Sequence, residues 1–114
     1  MNKANILVTG GLGYIGSHTS VELLNNGYNI TIVDSLINSE KFILERIEKI
    51  TGEKIPFYQF DITDYKKTTK CFKENNFDFV IHFAALKSVN ESVKYPEKYM
   101  KNNLDSLKNI LKCI

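Results

Sequence analysis

The sequence predicts an α/β protein built on a doubly wound parallel sheet, and three observations carry that prediction. Short apolar runs alternate with segments of helical periodicity along the chain. The runs are apolar at successive positions, as in parallel strands covered on both faces. A glycine-spaced turn, Val8-Thr9-Gly10-Gly11-Leu12-Gly13-Tyr14-Ile15-Gly16-Ser17-His18, joins the first run to the first helical segment. Strand and helix alternating four times, with right-handed crossovers, give the strand order 3-2-1-4. The glycine turn then falls at the switch between strands 1 and 4.

The first strand is expected over about 5–8 and the first helix over about 14–26. Ile15, Val21, Leu23 and Leu24 supply that helix's buried stripe, and Gly27 its C-terminal cap. A second strand, about 29–33, ends at Asp34. Asn38 or Ser39 then caps a helix over about 40–50, with Phe42, Ile43, Ile47 and Ile50 turned inward and Gly52 as its stop. The third strand covers about 55–60, and Pro56 suits a strand start while disfavouring a central place in the sheet. Thr63 or Asp64 caps a helix over about 65–74, and a buried fourth strand follows over about 78–83. Ser88-Val89-Asn90-Glu91 has the capping-box pattern of a short helix, closed by Tyr95-Pro96. The last helix starts near Pro96, and Tyr99, Met100, Leu104, Leu107, Leu111 and Ile114 make its apolar stripe, expected on the core. The chain ends inside that helix. Residues 1–114 are therefore expected to form an incomplete Rossmann-type domain of about four strands, with no second domain.

Composition narrows the class. With 43% hydrophobic and 25% charged residues, the chain can bury a core as one globular domain. A formal net charge of +2, with lysines dispersed, gives no electrostatic case for nucleic acid. No apolar run approaches the roughly 18 residues of a membrane span, and Met1-Asn2-Lys3-Ala4 leads straight into a strand without a signal-peptide core. Cys71 and Cys113 match no metal spacing, and the expectation is a cytoplasmic protein with reduced thiols.

The glycine turn is the strongest chemical signal. A strand ending in such a turn delivers the N-terminus of the next helix to one point, where unpaired N–H groups and the helix dipole can hold a pyrophosphate. Gly10 permits the turn, Gly13 lets a ligand approach the backbone, and Gly16 lets the helix pack closely on the strand. Asp34 lies at the end of the second strand, roughly 20 residues on, where an acid can accept the ribose hydroxyls of adenosine. A carboxylate there repels a 2′-phosphate, so NAD is expected rather than NADP; the competing reading is a solvent-exposed strand-end aspartate. Asp61, beside Ile62, either contacts an adenine amino group or caps the next helix. The small residues of Phe83-Ala84-Ala85 let a dinucleotide pass close to the backbone, and Lys87 is either a cation for its oxygens or a surface lysine. His18 and His82 read as packed, hydrogen-bonded histidines, Glu91 as part of its capping box, and Cys71 as inert. No paired-carboxylate, metal or Ser-His-Asp pattern is present.

Taken together, these residues resemble the N-terminal part of the UDP-glucose 4-epimerase family, within the extended short-chain dehydrogenases/reductases. The resemblance runs in register through Ile6–Thr19, Asp34-Ser35-Leu36-Ile37-Asn38-Ser39, Asp61-Ile62, Val80–Val89 and Glu91-Ser92-Val93 to Pro96, Tyr99, Asn102 and Asn103. It implies that Tyr14 and Ile15 meet the pyrophosphate through backbone amides. Asp34, Ser35, Asn38 and Ser39 would surround the adenosine ribose, and Asp61 and Ile62 would flank adenine. Phe83, Ala84, Ala85, Lys87 and Asn102 would line the nicotinamide half, with Lys87, Ser88 and Val89 also bordering a UDP-sugar. In this family NAD takes a hydride from sugar C4 and returns it to the opposite face, interconverting UDP-glucose and UDP-galactose. Ser35 stands where the family usually has asparagine, with shorter reach. The family's catalytic Ser and Tyr-x-x-x-Lys pair are expected beyond residue 114, so the chain carries cofactor-site residues and no proton-transfer pair. The family also often dimerises through helices at the level of the last two here, so Leu104, Leu107 and Leu111 face either a partner or the sheet, the sheet being the expectation. Two alternatives stand beside this reading. One is a non-catalytic NAD-binding module or truncated remnant. The other is a related sugar-nucleotide dehydratase or decarboxylase, disfavoured by Lys87-Ser88-Val89 and Glu91-Ser92-Val93.

Overall fold

Strand β1 (Asn5–Thr9) is buried from Ile6 to Thr9, because it lies at the centre of the sheet with a covered face on each side. β2 (Asn29–Asp34) pairs with one of its edges and β4 (Phe79–His82) with the other, while β3 (Phe57–Gln59) adds outside β2. All pairings are parallel, in the order β3-β2-β1-β4 that right-handed crossovers require. The computed structural model describes residues 3–84 and 93–114. The expectations for Ala85, Lys87, Ser88, Val89 and the Glu91 capping box lie outside the described residues.

Helices α1 (Tyr14–Asn25) and α2 (Phe42–Thr51) pack together, as do α3 (Tyr65–Glu74) and α4 (Pro96–Cys113). The period-two alternation of β1 divides the core accordingly. Ile6 and Val8 join Ile30, Ile32, Leu44 and Ile47, while Leu7 joins Val33, Phe60, Ile62, Cys71 and Ile110. The chain is thus doubly wound, with a hydrophobic layer on each side. Gly27 follows α1 and Gly52 caps α2, at the expected places.

Several local expectations are corrected. Ile15 does not join the buried stripe of α1; it is exposed at the mouth of the sheet's C-terminal end. On α2, Leu44 and Ile47 face the core while Phe42 and Ile50 are exposed, so the buried stripe is rotated. Neither Asn38 nor Ser39 caps α2. The helix starts at Phe42 after Lys41, in helical conformation without a side-chain cap, and the Ser39 hydroxyl donates to Asp34 instead. β4 is not buried as expected: among the described residues it is an edge strand, and Phe79 is exposed. Pro56 behaves as expected of an edge, lying just before β3 with its carbonyl accepting the Ile32 N–H at 2.9 Å. Asp64 caps α3 through the Lys67 N–H at 3.1 Å.

The largest correction concerns α4. Its buried residues are Tyr99, Ser106, Asn109 and Ile110, whereas Met100, Leu104, Leu107, Leu111 and Ile114 are exposed. Periodicity reports that a helix has two faces, not which of them meets the sheet. Here polar groups decide. Asn109 donates through Nδ2 to the Ile62 carbonyl at 2.8 Å, and the same carbonyl accepts the Thr68 hydroxyl at 3.0 Å. The inward polar side chain is thus satisfied where it is buried, and Tyr99 and Ile110 supply the apolar part of the same face.

Candidate functional site

The C-terminal ends of the four described strands open onto a cavity of about 370 Å³. The glycine turn contributes Gly10, Gly13, Tyr14 and Ile15 to its wall. Asp34, Ser35, Asn38 and Ser39 enter from the loop after β2, and Asp61 and Ile62 from the loop after β3. Phe83 and Ala84 close the side beyond β4, and Asn102 reaches in from α4. The fold therefore gathers, from five separate segments, every described residue that the sequence nominated except Gly16. That residue is buried beneath the turn and lines no wall. Its expected role shifts too: a Cβ there would overlap the Gly10 carbonyl oxygen, so Gly16 admits the turn itself against α1 rather than the helix against the strand.

Gly10 holds a φ of +67°, and its N–H donates to the Val33 carbonyl at 2.7 Å, tying the turn to β2. A side chain there would stand 2.8 Å from the Ala84 nitrogen, so β1 and β4 part around a residue without Cβ. Gly13 occupies the N-cap of α1 and offers no side-chain acceptor, and the first turn contains no acidic residue. The N–H groups that open any α-helix have no intrahelical partner. Those of Tyr14 and Ile15 therefore border the cavity as donors at the positive end of the dipole.

Asp34 is buried, which removes the reading of a solvent-exposed strand end. Its Oδ2 accepts the Leu12 N–H at 3.0 Å; its Oδ1 accepts the Leu36 N–H at 2.8 Å and the Ser39 hydroxyl at 2.7 Å. One carboxylate thus binds the glycine turn to the loop after β2, and it holds Leu36 in its left-handed conformation, φ 65°. A carboxylate offers about four lone-pair sites, and three are used here. One hydroxyl can join directly, whereas a second has to displace Ser39. A set of N–H donors at a helix start, beside a buried acid with a free acceptor site, fits an adenine dinucleotide: phosphate on the donors, ribose on the acid.

Asp61 accepts the N–H of Thr63 at 2.9 Å and its hydroxyl at 2.8 Å, both on Oδ1. It thus shapes the turn ahead of α3 while still lining the cavity, and the cap itself falls to Asp64. His18 is exposed rather than packed; its Nδ1 donates to the Tyr14 carbonyl at 2.7 Å and its ring lies 4.6 Å from that of Tyr14. His82 meets the expectation of a satisfied histidine, between Thr9 and Ser106, and burial pulls its pKa below the ordinary value. Burial, with Glu74 and Cys113 adding to it, pushes the Cys71 thiol up to about 12, so it stays protonated and unreactive.

Sequence reasoning missed Val33, Ile37, Phe60 and Ser106, which also line the cavity. For Ser106 a signal existed: Tyr99, Asn102, Asn103, Ser106 and Asn109 recur at helical spacing and form α4's inner stripe. The other three are apolar residues next to nominated ones, and nothing in their sequence sets them apart. Among the described residues, no group of three His, Cys, Asp or Glu side chains converges as a metal site, and no helix is long and apolar enough to cross a membrane.

Strand order, glycine turn and buried acid define a doubly wound nucleotide-binding class of α/β domain. Within it, a family model described as GDP-mannose 4,6 dehydratase matches residues 7–114, and the chain belongs to that family. Its relatives are more specific. The chain is 48% identical to a UDP-glucose 4-epimerase of Schizosaccharomyces pombe, over 100% of this chain and 32% of that protein. It is 54% identical to the UDP-glucose 4-epimerase of Bacillus subtilis, over 87% of this chain and 29% of that one. Among solved structures, the UDP-glucose 4-epimerase of Bifidobacterium longum, in complex with NAD+ and UDP, superposes with a TM-score of 0.93 at 48% identity. That match covers 96% of this chain and 33% of its counterpart. The resemblance read from the sequence is borne out, and the chain spans about a third of the length of these relatives.

Proposed function

We propose that this chain is the NAD-binding portion of a UDP-glucose 4-epimerase. The observation that carries the proposal is Asp34: a buried acid, hydrogen-bonded to the glycine turn, on the same cavity as the first turn of α1. Tyr14 and Ile15 would hold the pyrophosphate through their amides. Asp34, Ser35, Asn38 and Ser39 would take the adenosine ribose, and Asp61 and Ile62 the adenine. Phe83, Ala84 and Asn102, with Ala85 and Lys87, would border the nicotinamide, and Lys87, Ser88 and Val89 the UDP-sugar. When bound, NAD supplies the hydride acceptor for C4 of that sugar. Calorimetry tests the cofactor: NAD is expected to bind the 114-residue chain, and NADP more weakly because its 2′-phosphate meets the Asp34 carboxylate. Equal affinities would overturn the assignment of Asp34.

A second reading is favoured by one observation. None of the six tyrosines is followed four residues later by a lysine, so residues 1–114 contain no Tyr-x-x-x-Lys acid–base pair. By itself the chain then acts as a cofactor-binding module without turnover. The exposed Leu104, Leu107 and Leu111 fit pairing with a second copy in a longer protein, which sedimentation of that protein measures. Free thiols at Cys71 and Cys113 fit a cytoplasmic location.

A further inference from the structure

The last paired rung between β1 and β4 sets Thr9 opposite His82, immediately before the two strands part around the cavity. Both side chains point to the layer covered by α3 and α4. Thr9 is fully buried, and its hydroxyl oxygen accepts the Ala84 N–H at 3.2 Å and lies 2.5 Å from His82 Nδ1. On the other side of the ring, Nε2 lies 3.3 Å from Ser106 Oγ, whose own hydrogen goes to the Asn103 carbonyl at 2.9 Å.

Hydrogen counting assigns the tautomer. Thr9 has one hydroxyl hydrogen, and among its hydrogen-bond partners in the described residues, Ala84 N–H and His82 Nδ1, only the ring nitrogen is able to accept it. Were Nδ1 protonated, that buried hydrogen would be left without an acceptor. The ring therefore carries its proton on Nε2, which donates to Ser106. The relay is directional throughout: Ala84 N–H to Thr9, Thr9 to His82, His82 to Ser106, Ser106 to the α4 backbone. It links two walls of the cavity. Ala84 is one wall, held by Thr9, while Ser106 and Asn102, one turn apart on α4, are the facing wall.

We propose that His82 is a positioning residue: locked as the Nε2–H tautomer between Thr9 and Ser106, it sets the spacing of the Ala84 and Asn102 walls that receive the distal half of a dinucleotide. This rests on the dinucleotide reading of the cavity. The strand order puts β2 and β4 on opposite sides of β1, so the Asp34 end and the His82 end of the cavity are separate. A mononucleotide seated on Asp34 is insensitive to the relay; a dinucleotide that spans the cavity is not.

The test combines ring ¹⁵N spectra of the ligand-free chain with calorimetry using NAD and 5′-AMP as probes. The parent is expected to show an unprotonated Nδ1 and a protonated Nε2 near neutral pH. In Thr9→Val the ring loses that single tautomer and NAD affinity falls by about tenfold, the scale of lost preorganisation, while 5′-AMP affinity is unchanged. Thr9→Ser restores both. Thermal melts establish that each variant is folded. Should Thr9→Val fail to fold, Ser106→Ala removes the other partner and is expected to weaken NAD, with rescue by Ser106→Thr. A parent with a protonated Nδ1 overturns the proposal. So do variants that weaken NAD and 5′-AMP equally, or neither. A parent that binds neither nucleotide overturns the dinucleotide reading, and the positioning role with it; a parent that binds both while the split fails overturns the positioning role alone.

Discussion

Asp34 ties the fold to the proposed cofactor site in one side chain. Its carboxylate holds the Leu12 N–H, the Leu36 N–H and the Ser39 hydroxyl, and Leu12 is buried. Asp34→Ala is expected to lower stability by about 1–3 kcal/mol, because a buried donor loses its partner. In addition it should remove roughly 1.5–3 kcal/mol of NAD affinity. Melting curves and calorimetry separate the two effects; a variant as stable and as tightly binding as the parent would contradict both roles. The acid and its spacing were legible in the sequence. Its hydrogen bonds were not, since Leu12 lies on a different segment and Ser39 was read as a helix cap. His82 carries a second prediction. Burial holds its folded pKa below the ordinary value of 6.5. Between those values the unfolded chain binds more protons than the folded one, so stability rises with pH across that window. Denaturation midpoints should therefore drop as pH falls below about 6.5 and stay level above it. The drop should be smaller in His82→Gln, which has no titrating ring.

At the level of elements, the glycine turn, α1 and α3 were readable because their signals are local: a Gly-Gly turn, a C-terminal glycine, an aspartate cap. α4 was not. Two helical stripes compete on it, and the more hydrophobic one, Leu104, Leu107 and Leu111, faces outward. Ile110 and Asn109 occupy the inner face: Ile110 joins the core with Leu7, Val33, Ile62 and Cys71, Asn109 bonds to the Ile62 carbonyl, and the helix packs on α3. Ile110→Ala is thus expected to cost about 2–4 kcal/mol, whereas Leu107→Gln should cost less than about 0.5 kcal/mol. Urea midpoints on the two variants measure the contrast. The reverse order would restore the orientation that hydropathy alone suggests. The same competition misplaced Phe42 and Ile50 on α2, where Leu44 and Ile47 point at the sheet.

Across the whole molecule, the cavity exists because a parallel sheet in the order β3-β2-β1-β4 reverses its winding at β1. The reversal leaves a crevice at the strand ends, and five segments of the chain converge there. The expected consequence is a chain that binds NAD yet shows no UDP-galactose to UDP-glucose conversion in a coupled assay. Its residues supply no Tyr-x-x-x-Lys pair, and measurable turnover would refute that account. By itself the sequence determined the alternation of strand and helix, the strand order, the glycine turn and the acid at Asp34. Each of these follows from periodicity, handedness or spacing within one segment. Only the tertiary structure decided which face of α2 and α4 is buried, that Ser39 serves Asp34 rather than α2, and that Thr9, His82 and Ser106 form one relay. Those outcomes depend on hydrogen-bond partners distant in sequence, whose positions are set when the layers close on the sheet.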